Sequence, residues 1–108
     1  PFLGTAQVKF NGPLVFKLSA RSKAGGSGHL HWRIAGQDSF PESSQMATFD
    51  VPAGNDWQEV SVSLPVKGKP TVIRIYLPAG EAAVDLQAIH FSNLNGQQKS
   101  WDFSGVNR

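Results

Sequence analysis

The sequence predicts an all-β fold, an antiparallel β-sandwich of roughly seven to nine short strands. Apolar and polar residues alternate over short runs, most clearly in Val60-Ser61-Val62-Ser63-Leu64 and Ile73-Arg74-Ile75-Tyr76-Leu77. Side chains that alternate sides along a strand bury one face and leave the other outside. The 11 glycines and 7 prolines fall mostly between these runs, where turns need them, at intervals of about 8–12 residues. No segment carries the apolar repeat of a helix over about ten residues or more. Strands with one apolar face each are satisfied when two sheets face each other across a shared core.

Taken in order, Val8-Lys9-Phe10 predicts a short first strand, stopped by the turn dipeptide Asn11-Gly12. Pro13 to Ala20 follows, with Leu14, Phe16, Leu18 and Ala20 inward and Val15, Lys17 and Ser19 outward. Arg21 to Gly28 is rich in Gly and Ser and predicts a flexible loop. His29 to Ala35 predicts a strand with Leu30, Trp32 and Ile34 inward and His29, His31 and Arg33 outward. Gly36 to Gln45 carries Pro41 and several turn-forming polar residues and predicts an irregular loop.

Met46 to Val51 is the next strand, with Phe49 and Val51 inward, ended by Pro52-Ala53-Gly54-Asn55. The run from Asp56 to Leu64 turns Val60, Val62 and Leu64 to the core and gives Trp57 the opposite parity, at the rim. Thr71 to Leu77 sends Ile73, Ile75 and Leu77 inward and Arg74 and Tyr76 outward. Between Val84 and Phe91 the parity breaks: Val84 and Leu86 would face away from Ile89 and Phe91. A β-bulge at Gln87-Ala88 lets all four point inward. After a turn at Asn93 to Gly96, a last short strand is predicted over Lys99 to Phe103.

A chain of 108 residues supports one domain with one core, here assigned to residues 1–108. It opens on Pro1-Phe2-Leu3-Gly4 with no signal peptide, and is read as a segment of a longer multidomain protein. With no cysteine, neither disulfides nor thiolate metal sites are available. No apolar run reaches the roughly 18 residues of a membrane span. The net charge of +2 comes without the Lys/Arg cluster that nucleic acid requires, so no nucleic-acid partner is expected.

Catalytic patterns find little support. There is no Gly-x-Ser-x-Gly elbow, no cysteine nucleophile and no phosphate-binding glycine loop followed by lysine and a helix. Asp50, Asp56, Asp85 and Asp102 sit mostly at strand ends or turns, where Asp bonds backbone, rather than as an opposed catalytic pair. No cofactor is expected. A structural Ca²⁺ could draw on Asp50, Asp56 or Asp102, although no Asp-rich loop signals it. His29 and His31 project from one face and could bind Zn²⁺ or Cu²⁺ if a third ligand converged; the remaining histidine is His90. Two exposed histidines on a solvated face are the plainer alternative, and no metal site is assigned.

The outward residues are more informative. If their strands are neighbours in one sheet, Lys17, Ser19, His29, His31, Arg33, Arg74, Tyr76, Gln87 and His90 form a polar, basic face with one phenol ring. Guanidinium forks bind carboxylate or sulfate in a bidentate way, and lysine and histidine add donors. Of the three tryptophans, Trp32 belongs to the core by parity, Trp101 to the core edge, and Trp57 either closes the sandwich end or offers a platform to a sugar ring.

The stretch Asn55 to Gly68, with Asp56-Trp57-Gln58-Glu59-Val60, then Ile73-Arg74-Ile75-Tyr76-Leu77-Pro78 and Val84-Asp85-Leu86-Gln87-Ala88-Ile89, is similar to the jelly-roll β-sandwiches of the galactose-binding-like and carbohydrate-binding-module group. Gly28-His29-Leu30-His31-Trp32-Arg33 also fits that group. More narrowly, the chain resembles, from about Val8 to Phe103, the non-catalytic C-terminal domains that follow the catalytic domain of some bacterial sulfatases. It lacks the Cys/Ser-x-Pro-x-Arg motif by which sulfatases resemble one another, so no catalytic residue is carried over, and no binding residue of the wider group maps onto a fixed motif.

The resemblance implies a non-catalytic, galactose-binding-like accessory domain of an extracytoplasmic carbohydrate-active enzyme, with a sulfatase as the expected parent. Its partners would be that enzyme's catalytic domain and a glycan, neutral or anionic, including a sulfated one. The residues expected to bind it are His31, Arg33, Arg74, Tyr76, Trp57 and Lys17. Two other readings stand beside this one: a structural domain that packs its polar face on a catalytic neighbour, and a stand-alone hydrolase.

Overall fold

The alternation of the sequence becomes two four-stranded antiparallel sheets in the computed structural model, which describes residues 2–34, 36, 45–78 and 84–102. The strands are β1 (Phe2–Ala6), β2 (Leu14–Arg21), β3 (Gly26–Ile34), β4 (Met46–Val51), β5 (Gln58–Leu64), β6 (Pro70–Tyr76), β7 (Asp85–Asn93) and β8 (Gln98–Asp102). The first sheet has the order β1-β6-β3-β4 and the second β5-β2-β7-β8. β2 pairs with β7 and β3 with β6, and β4 lies against β5. This nests the middle strands, while β1 and β8 attach to β6 and β7 rather than to each other. The architecture is an antiparallel β-sandwich.

The core lies between the two inner faces. Leu14, Phe16, Leu18 and Ala20 of β2 are buried opposite Leu30 and Trp32 of β3, Phe49 and Val51 of β4, and Ile73 and Ile75 of β6. Phe16 spans the sheets: its ring centre is 5.6 Å from that of Phe49 and 5.2 Å from that of Phe91. Trp32 is fully buried. Trp101 covers the core edge, meeting Phe91 edge-on at 6.0 Å.

The bulge falls where the parity break requires it. Ser19 faces Ala88 and Ala20 faces Leu86, so Gln87 is the extra residue. Ile89 and Phe91 are buried, and Val84 and Leu86 pack against the same core.

Two local expectations are corrected. Val8-Lys9-Phe10 forms no strand; the strand before it is β1, and Val8 and Phe10 are buried as the chain passes to β2 in the other sheet. Gly26 to Gly28 open β3 instead of completing a loop. The glycines there answer a packing demand that reads as flexibility in the sequence. A Cβ on Gly28 would run into the Phe49 ring and the Tyr76 carbonyl, and Gly25 takes a φ of +67°, which favours glycine. Most of the loop expected over Gly36 to Gln45, the turn expected after Pro78 and the end of the last strand at Phe103 lie outside the described residues.

Candidate functional site

The outward positions of β3 and β6 are brought side by side by register. His29 stands opposite Tyr76, His31 opposite Arg74 and Arg33 opposite Val72. Their alternation puts these side chains on the outer face of the first sheet, because Leu30, Trp32, Ile73 and Ile75 between them are buried. Arg74 is exposed, while His29, His31, Arg33 and Tyr76 are half-buried against one another and the sheet.

The rings form one cluster. His29 stacks on Tyr76 with centres 4.4 Å apart and an angle of 11°. His31 meets His29 at 5.0 Å and Tyr76 at 5.8 Å, both edge-on. Burial lowers the pKa of the His31 imidazole below its ordinary value of 6.5, and His29 and Arg74 push the same way. The neutral form of His31 is thereby favoured.

β4 completes the face from the other side of β3. Met46 stands opposite His31, Thr48 opposite His29 and Asp50 opposite Ser27, whose hydroxyl donates to the Asp50 carboxylate. Met46 is 39 % exposed, one of the exposed large apolar side chains among the described residues. Its parity, opposite to that of Phe49 and Val51, is readable in the sequence. Its position beside His31 depends on register.

Of the residues expected to bind ligand, His31, Arg33, Arg74 and Tyr76 are gathered here; Lys17 and Trp57 are not. The single basic face expected from nine outward residues is divided between the two sides of the sandwich. Lys17 lies on the outer face of the second sheet, opposite His90 of β7 and Ser61 of β5. There, with Ser19, Glu59, Ala88 and His90, it lines a shallow hollow of about 280 Å³. Gln87 is on that side too, accepting a hydrogen bond from the Ser19 hydroxyl at 2.8 Å.

Trp57 stands just before β5, 38 % exposed, with the Arg21 guanidinium 4.5 Å from its ring centre. Arg21 in turn donates to Asp85 Oδ2 from Nε at 3.2 Å and from Nη2 at 3.0 Å. One ring face of Trp57 is thus covered by an arginine that the sequence reading places in a loop. The sequence signal available for Arg21 is that the alternation Lys17-Leu18-Ser19-Ala20-Arg21 runs on unbroken past Ala20, as β2 does.

Among the described residues no three of His, Cys, Asp and Glu gather as a ligand set. Asp50 and Asp102 stand in different sheets, so they supply no common Ca²⁺ site. No protein-family model, curated protein or solved structure matches this chain. The chemistry of the site is that of two guanidinium groups and a cluster of flat rings on one outer sheet face.

Proposed function

We propose that this chain is a non-catalytic binding domain that holds a glycan, preferably an anionic one, on the outer face of its first sheet. The observation that carries this is the pairing of β3 with β6, which sets Arg74 and Tyr76 beside His29, His31 and Arg33. Arginine forks match sulfate or carboxylate oxygens, and aromatic rings take the C–H faces of sugars. Among the outward residues of β6, β3 and β4 the only carboxylate is that of Asp50, on the edge strand β4, and it is engaged by Ser27, so an anion over Arg74 meets little repulsion. In this reading Trp57 and Lys17 are not part of the site. The resemblance to sulfatase C-terminal domains makes a carbohydrate-active enzyme working outside the cytoplasm the natural parent, with this domain adding weak affinity for its substrate.

A glycan array of sulfated and unsulfated polysaccharides tests the reading, with Arg74→Ala beside the unaltered chain. Retention on sulfated glycans that Arg74→Ala loses supports it. Silence across the array favours the rival structural domain, whose face would pack on a catalytic neighbour. Equal retention by Arg74→Ala removes that residue from the site.

A further inference from the structure

The same sheet face brings two rings of the glycan reading, His29 and His31, beside Met46, which that reading does not use. We propose that His29, His31 and Met46 form a binding site for univalent copper. The spacing of the two imidazoles is the first observation. Nitrogen ligands bond a metal at about 2.0–2.1 Å, which puts an imidazole centre about 3.2 Å from the ion. Two imidazoles meeting one ion then have centres about 5.2 Å apart at a tetrahedral angle and about 5.5 Å apart at the trigonal angle of a three-ligand ion. The His29 and His31 ring centres are 5.0 Å apart, at 67° to each other. The strand already sets the span, and ring rotation completes the approach.

The third ligand is what the sequence left missing, and register supplies it. Met46 stands directly opposite His31 and one diagonal step from His29. Directly opposed side chains have Cβ atoms about 4.5–5.5 Å apart, and diagonal ones about 7–8 Å. A methionine with three rotatable bonds crosses either distance. Met46 is the single methionine of a chain without cysteine, and it is held at 39 % exposure on a face whose other large side chains are polar or aromatic.

The choice of metal follows from ligand softness and charge. A thioether with imidazoles selects univalent copper over the harder divalent ions, and that ion accepts a set of two or three ligands. Arg74 stands opposite His31, and a univalent ion meets half the repulsion from it that a divalent ion would.

The test is an anaerobic titration of the full 108-residue chain with Cu⁺ in competition with a coloured Cu⁺ chelator. One equivalent is expected to bind. His29→Gln, His31→Gln and Met46→Leu should each weaken it at least by the about 10–100-fold that loss of even an outer-shell partner costs a metal site. His90→Gln, on the opposite sheet face, should bind as the unaltered chain does. Copper K-edge absorption should show one sulfur neighbour near about 2.3 Å.

Equal affinity of Met46→Leu, absence of a sulfur neighbour, or Zn²⁺ binding tighter than Cu⁺ and indifferent to Met46 would each overturn the proposal. All four side chains lie on outer sheet faces rather than in the core, three of them half-buried, so circular dichroism and thermal melting check that the variants fold. The proposal shares His29 and His31 with the glycan reading, and Met46 and Arg74 separate the two. Met46→Leu should keep glycan retention and Arg74→Ala should keep copper, so either can fail alone.

Discussion

The two outer faces of the sandwich obey the same alternation and carry opposite chemistry. The face of the second sheet is built mostly from small or paired residues: Ser19, Ser61, Ser63, Ala88 and Ser92, with Gln87 bonded to Ser19 and with Lys17 and the single ring of His90 near Glu59. The face of the first sheet is built from long and flat ones, His29, His31, Arg33, Arg74, Tyr76 and Met46. A one-sided polar sheet is the ordinary state of an antiparallel protein, and the second sheet needs no other explanation. Rings stacked at 4.4 Å and arginines in adjacent register make the first face different in kind. Outward parity identifies a surface; which side chains are neighbours on it decides whether the surface can recognise anything.

The largest perturbation should strike both faces alike. Phe16→Ala removes the ring that joins the sheets, and chemical denaturation should show a loss of about 3–5 kcal/mol. Ligand readouts on either face should change only where unfolding explains them. An unchanged denaturation midpoint would show that Phe16 does not span the core.

Gly28→Ala separates the faces. The new Cβ would press on the Tyr76 carbonyl and the Phe49 ring, costing about 1–3 kcal/mol as overpacking does. The strain should be confined to β3, β4 and β6, with amide NMR shifts moving around Tyr76 and Phe49 and staying still around Lys17. Equal shifts on both sheets would break the comparison.

The functional contrast is Arg74→Ala against Lys17→Ala on a sulfated glycan. A lost charge-assisted hydrogen bond is worth about 1.5–3 kcal/mol, so Arg74→Ala should lower affinity by about tenfold or more. Lys17→Ala should leave it within about twofold, a difference isothermal titration or affinity electrophoresis resolves. The reverse order would move the site to the second sheet.

Smaller effects lie at the rim and in the pH response. Arg21 and Asp85 are 40 % and 44 % exposed, and an exposed ion pair contributes about 0–1 kcal/mol. Arg21→Ala should therefore barely shift the melting curve while altering Trp57 fluorescence. An unaltered spectrum would mean that the guanidinium does not rest on the indole in solution.

His31 has a folded pKa lowered below 6.5, so the unfolded chain binds its proton first as pH falls. Its contribution is nil well above 6.5. The resulting destabilisation sets in as pH drops below that value and levels off below the folded pKa. Replacing His31 with Gln should flatten that part of the stability profile, and a profile identical to the unaltered chain's would contradict the assignment.

Much of the fold was legible because it rests on local rules. The inward set Leu14, Phe16, Leu18, Leu30, Trp32, Phe49, Ile73, Ile75, Ile89 and Phe91 is the one that parity predicts, and all are buried. The bulge at Gln87 was legible for the same reason, since only an extra residue reconciles Leu86 with Ile89. Two features were not. Val8 and Phe10 alternate like a strand but are buried in a crossing segment, and alternation alone does not say whether a backbone finds a partner. Gly26 to Gly28 read as a loop because the need for a missing Cβ comes from Phe49 and Tyr76, remote in sequence.

The candidate site divides along the same line. That His31, Arg33, Arg74, Tyr76, Lys17 and Met46 point outward follows from the sequence by itself, because successive side chains on a pleated strand must alternate. That Arg74 lies beside His31, that Met46 closes on it from the other side, and that Lys17 is carried to the opposite surface were decided only by the tertiary structure. Strand order and register are set by pairings between distant segments and by how the two apolar faces close on one core. No local pattern encodes which strand will be the neighbour.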